Sequence, residues 1–226
     1  MSSSPWNLQA LRDHARGQCQ SGFDPVSNAI RSVSKMTEIF HFNAFAAKEA
    51  LKGFVSEGEQ TTEEHMRLIF GVSERQEDFA RARLASEAHL LGTLLATRSI
   101  YDIFSQIVNA LLLSSRLSEK GCNIHRVRDF LLPGRLRSEL DGLLMSHWFR
   151  YVNGFVNLSK HRYMIEHGVS MSFVDDVVGI QVGAFSYDND NWPAKSATEV
   201  LDGAFEVKNK VIDCGRALNA ACGVAE

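Results

Sequence analysis

From Glu74 to Leu117 the chain has no proline, and its polar and apolar residues recur at the spacing of a helical face. That period does not fit a strand, whose side chains alternate every second residue. The run predicts one very long helix, which must lay its apolar stripe against other helices to be stable. The chain has only 4 prolines, placed near expected boundaries. Asp24-Pro25 reads as an N-cap followed by proline at the first helical position.

The other elements follow the same logic. A helix is expected from Pro25 to about Phe54, with Ile30, Val33, Ile39, Phe40, Phe45 and Leu51 facing inward. Ser56 to Gln60 reads as a turn. Thr61-x-x-Glu64 and Ser73-x-x-Gln76 have the form of capping boxes. They predict a short helix over Thr62–Phe70 and the start of the long one. Ser118 to Arg135 is the longest stretch without a clear pattern. A helix from about Leu136 to His167 would stop at Gly168, a suitable C′ residue. Val169 to Pro193 is rich in Val, Phe, Ile and Tyr, with Asp175-Asp176 in its middle, and predicts a β-hairpin. Asp188 to Pro193 reads as a turn. Ser196 or Thr198 would cap a last helix to about Ala221, with Leu201, Phe205, Val207, Val211, Ile212 and Leu218 inward. The expected fold is mainly α: an antiparallel helical bundle with a small β-hairpin before the C-terminal helix. It forms one domain over 1–226, with 1–22 as an N-terminal arm and 169–192 as the hairpin insertion.

Composition narrows the function classes. The 226 residues are enough to bury a sizeable core. A net charge of −3 gives the whole molecule no basic field toward nucleic acid, leaving room only for a local patch. The N-terminus lacks the cationic start and apolar run of a signal peptide. The most apolar window, His89 to Leu113, is interrupted by Arg98 and Asp102, so no membrane helix is expected. Cys19, Cys122, Cys214 and Cys222 form no C-x-x-C pair and no zinc spacing. The expectation is a cytoplasmic protein with reduced cysteines, no cofactor and no membrane partner.

The candidate site is in "FVNLSKHRYMI", Phe155 to Ile165. On a helical wheel Asn153, Asn157 and His161 fall within ~60° of Arg150, with Lys160 beside them. Met145, Trp148, Tyr151, Val152, Phe155, Val156 and Tyr163 occupy the opposite half. A solvated helix face is one reading of this stripe. Two details argue for another. The stripe has no carboxylate until Glu166 and uses two asparagines, which are mediocre helix formers. Gly154 lies beside it, at a cost of about 1 kcal/mol against alanine, and marks close approach of another element.

The chemistry available is definite. His161 can act as acid or base near neutrality. Arg150, Lys160 and Arg162 can hold phosphate or a developing negative charge. Asn153 and Asn157 offer directional hydrogen bonds. The set suits metal-free RNA cleavage through the 2′-hydroxyl, with His161 and Arg150 as catalytic pair, and it equally suits phosphate binding. On the long helix Asp102, Gln106 and Asn109 share a face. Asp102 either pairs with Arg98 on a solvent face or belongs to a polar layer that meets Asn157 or His161. His89 reads as a core or interface histidine. Glu38-x-x-His41 is half of a di-iron signature whose second half is absent.

Ser86–Leu113 and Tyr151–Ile165 together resemble a group of uncharacterised bacterial helical proteins. The shared positions are Ala88, His89, Asp102, Ile103, Val108, Asn109, Val156, Asn157, Lys160, His161 and Arg162. That resemblance implies no particular activity. More widely the chain resembles the HEPN superfamily: compact helical bundles, often dimeric, and frequently RNases of toxin–antitoxin and phage-defence systems with an R-x4-6-H motif. Arg150 stands eleven positions before His161 and departs from that spacing. Arg83-x5-His89 and Arg162-x4-His167 meet it, but roughly two such matches are expected by chance. The resemblance implies a homodimer and an RNA ligand. Long amphipathic helices with small or amide residues on a second face point to self-association as well. Two functions are therefore expected: a non-catalytic helical binding or regulatory protein, and as the alternative a HEPN-like metal-independent RNase.

Overall fold

The computed structural model describes residues 5–18, 25–55, 62–172 and 177–225. Asp24, Thr61, the Ser56–Gln60 turn, Asp175-Asp176 and Cys19 lie outside them. The fold is mainly α, with a small antiparallel strand set before the C-terminal helix. The chain divides into two compact units, Met1–Glu38 with Ala96–Arg150 and Ala204–Glu226, and Ile39–Leu95 with Tyr151–Gly203. Their helices are α1 (Leu8–Gln18), α2 (Pro25–Glu49), α3 (Lys52–Val55), α4 (Thr62–Ile69), α5 (Gln76–Leu112), α6 (Ile124–Phe130), α7 (Arg135–Leu144), α8 (His147–His161) and α9 (Ala197–Ala221). Among the described residues no helix is long and apolar enough to cross a membrane.

In the first unit the expected N-terminal arm carries a docked helix. Trp6 is buried just before α1, edge-on to Phe104 at 5.8 Å. Its indole Nε1 donates to Asn219 Oδ1 at 3.0 Å, and Asn219 Nδ2 donates to the Asn7 carbonyl at 2.9 Å. Gly215 admits the indole: a Cβ there would lie 2.2 Å from Trp6. The stretch expected to be irregular contains α6. Asn123 caps it by accepting the Arg126 N–H at 3.1 Å, and Ile124 and Val127 are buried one turn apart.

The single helix expected from Leu136 to His167 is instead α7, α8 and the start of a strand. The break is a serine hinge. Ser146 N–H bonds Leu143 O to close α7, and Ser146 O accepts Arg150 N–H to open α8. At the other end Arg162 and Tyr163 N–H both bond Leu158 O, which finishes α8. Gly168 is therefore not a helix C′ residue. It sits in β1 (His167–Ser172), opposite Gln181 of β2 (Val177–Val182). Met145 at 81% and Tyr163 at 55% exposure, assigned above to the apolar half, lie outside α8 and face water.

In the second unit β5 (Lys195–Ser196) completes a three-stranded antiparallel sheet in the order β1-β2-β5. A separate ribbon pairs β3 (Phe185–Tyr187) with β4 (Asp190–Trp192), turning through Asp188 at φ 53°. The expected hairpin is thus two antiparallel arrangements. Leu51, Phe54, Leu68, Phe79 and Ile180 form one apolar cluster. The helix expected to reach Phe54 stops at Glu49, and Phe45 is 67% exposed rather than inward. The capping box expected at Ser73 forms differently, its hydroxyl accepting the Arg75 N–H and donating to Glu64. Ser196 does form one with Glu199: its Oγ accepts Glu199 N–H at 3.1 Å, and Glu199 Oε2 accepts Ser196 N–H at 2.9 Å.

Candidate functional site

The element that approaches Gly154 is the β3–β4 ribbon. A Cβ on Gly154 would lie 3.1 Å from the Cβ of Tyr187 and 3.5 Å from the ring of Phe185. Phe185 and Trp192 pack edge-on to Tyr151 of α8 at 5.1 and 5.4 Å, and Phe185 meets Phe155 at 6.0 Å. This aromatic layer fixes the ribbon over the helix, and Tyr187 then reaches the polar stripe. Asn157 Nδ2 donates to Tyr187 Oη at 3.1 Å and, more weakly, to Asn153 Oδ1 at 3.4 Å. Both asparagines are half-buried. The Arg162 guanidinium stands over the Tyr187 ring at 5.9 Å.

The stripe therefore has two parts. Its amide part is covered and hydrogen-bonded. Its cationic part is open: Lys160, His161 and Arg162 are exposed, followed by exposed Tyr163 and Met164. Arg150, at the other end of α8, is exposed and belongs to the first unit. Tyr187 and the ribbon were not singled out from sequence. Gly154 was the available signal, since a glycine inside an amphipathic helix needs a neighbour to explain it.

The remaining candidates have partners of their own. Asp102 accepts from Arg98 at 2.8 Å, and the guanidinium also lies over the Tyr101 ring at 5.2 Å. Asn109 is buried and bracketed to one residue: its Nδ2 donates to Leu117 O at 2.9 Å and its Oδ1 accepts Leu117 N–H at 3.0 Å. That bracket closes the turn after α5, where Ser114 and Ser115 take positive φ. His89 is half-buried, its Nδ1 2.9 Å from Asn43 Oδ1. Gly92 makes room for that asparagine, at 2.8 Å from where a Cβ would stand.

His167 begins β1 with its side chain wholly buried. Its Nδ1 lies 3.1 Å from Glu87 Oε1 and 3.1 Å from Ile165 O, while its Nε2 is buried without a hydrogen-bond partner. Burial holds the imidazole below its ordinary range, against the opposing pull of Glu87. Among the described residues no group of three or more His, Cys, Asp or Glu is gathered to hold a metal. No protein-family model, curated protein or solved structure matches this chain.

Proposed function

We propose that the protein is a non-catalytic helical binding protein. Its exposed run Lys160-His161-Arg162-Tyr163 meets a phosphate-bearing partner, for which single-stranded RNA is the chemical case. The observation that carries this reading is the pairing of an open cation-and-aromatic run with an amide ridge already occupied by Tyr187. Cations beside an exposed aromatic ring provide phosphate contacts and a stacking face together. Among the described residues Arg162, steadied over Tyr187, is the one cation of the run with a fixed platform.

Two points favour binding over cleavage. A general acid or base is ordinarily held by an orienting partner. Among the described residues His161 has none, and Asp102, expected either to pair with Arg98 or to lie in a polar layer meeting His161, bonds Arg98. Arg150 and His161 are also far apart on their helix, since eleven residues of α-helix rise about 16 Å. That is too far for both to serve one phosphate within a single chain.

Fluorescence anisotropy of a single-stranded RNA tests the reading. Binding should weaken as salt rises and be lost in Lys160→Glu/Arg162→Glu with the melting temperature unchanged. Undiminished binding by that variant would remove the assignment. Self-association belongs to the same proposal. Phe42 and Phe45, one turn apart on α2, are 68% and 67% exposed, an apolar pair suited to a second copy, and Leu84 on α5 is 65% exposed.

A further inference from the structure

In the first unit α1 and α2 line a groove of about 440 Å³. That volume is within the roughly 300–1,000 Å³ typical of small-molecule sites. Arg12 lines it from α1, together with Leu8 and Gln9. From α2 come Ile30, Arg31, Ser34, Lys35 and Glu38, which recur at the spacing of one helical face. Buried Ile30 and half-buried Leu8 supply the apolar part of the lining.

The charged part of the lining holds three cations and one carboxylate. Lys35 and Glu38 satisfy each other at 2.9 Å, which leaves the two guanidiniums. Arg12 Nε donates at 3.0 Å to the Oγ of Ser27, a buried hydroxyl. That bond fixes the base of the fork and leaves Nη1 and Nη2 without a partner among the described residues. A neutral hydroxyl orients Arg12 and does not neutralise it. Arg31 is exposed, and among the described residues no carboxylate pairs with it. Asp13, next to Arg12 in the chain, lies outside the lining and accepts from Gln9 Nε2 at 2.9 Å. Two uncompensated guanidiniums therefore share one groove, and one of them is held in place before any ligand arrives.

We propose that this groove binds a small organic phosphate. Its phosphoryl oxygens meet the open fork of Arg12 and the guanidinium of Arg31, and its organic part lies against Leu8 and Ile30. A phosphomonoester carries nearly two negative charges at neutral pH, against one for a carboxylate, so a pair of guanidiniums favours the phosphate. The apolar part of the lining favours an organic ester over bare phosphate. None of the residues of the α8 run takes part, so this site and the RNA-binding surface stand or fall separately.

Calorimetric titration of the full chain with phenyl phosphate tests the proposal, with benzoate as the singly charged match and phenol as the uncharged one. Phenyl phosphate binds at one saturable site, at least about tenfold more tightly than either. Arg31→Glu, at an exposed position, weakens phenyl phosphate by about tenfold or more at an unchanged melting temperature. Ser34→Glu, which adds a carboxylate to the lining from another exposed position, does the same and decides the matter if the first variant fails to fold. Lys160→Glu/Arg162→Glu leaves phenyl phosphate affinity unchanged. The proposal is overturned if phenyl phosphate does not bind, if benzoate or phenol matches it, or if Arg31→Glu folds and binds it as the wild type does. Loss of binding in the Lys160→Glu/Arg162→Glu variant would overturn it too, by moving the phosphate to α8.

Discussion

Tyr187 shows how much one side chain can organise. Its Cβ sits against Gly154, its hydroxyl accepts from Asn157, and its ring underlies Arg162. Tyr187→Phe keeps the ring and removes the hydroxyl, so it should cost about 0.5–1.5 kcal/mol of stability, read by urea denaturation. Gly215 is a harsher constraint. An alanine there must displace a rigid indole from 2.2 Å, so Gly215→Ala should destabilise by about 1–3 kcal/mol although alanine is the better helix former. His167 gives the pH dependence. Its folded-state pKa lies below the unfolded value, so the unfolded chain takes up the proton first as pH falls. The contribution of the neutral imidazole is complete above about pH 6.5 and is lost as pH drops toward the folded-state pKa. Melting temperature should fall between pH 8 and pH 5, and less steeply in His167→Gln; equal slopes would place the titration elsewhere.

At the scale of elements, what the sequence revealed depended on how far its signals extended. The 37-residue α5 and the 25-residue α9 were legible because an apolar period sustained over many turns has no competing reading. The cap of α9 was legible only to within two candidates, Ser196 and Thr198, and the Ser196 hydroxyl accepting Glu199 N–H decides between them. The hinge at Ser146 was not legible. Either side of it the apolar period continues, and one serine hydrogen-bonded to both neighbours ends one helix and begins the next. Helix α6 was missed because two buried residues are too few to establish a period. The site was half legible: Gly154 announced a covering element, but nothing in the local pattern identified the ribbon of Phe185, Tyr187 and Trp192 as that element. Asn109 shows the same limit, since a buried amide bracketing Leu117 looks in sequence like a binding residue. Asn109→Ala would strand the Leu117 N–H and carbonyl, and chemical denaturation should register a loss of about 1–3 kcal/mol.

For the whole molecule, a charge of −3 argues against a diffuse attraction to nucleic acid, so any such binding must be local and sensitive to few residues. Light scattering on the purified chain should give the mass of a dimer, and Phe45→Glu the mass of a monomer; a monomeric wild type would end the self-association proposal. At the centre stands the proposal that the end of α8 holds an anionic chain without cutting it. Its most direct test is to incubate single-stranded RNA with the purified protein at neutral pH, with and without His161→Ala, and to resolve both the bound fraction and the strand length. Bound RNA of full length is expected in both samples. Shortened RNA with the wild-type protein, and intact RNA with His161→Ala, would contradict it.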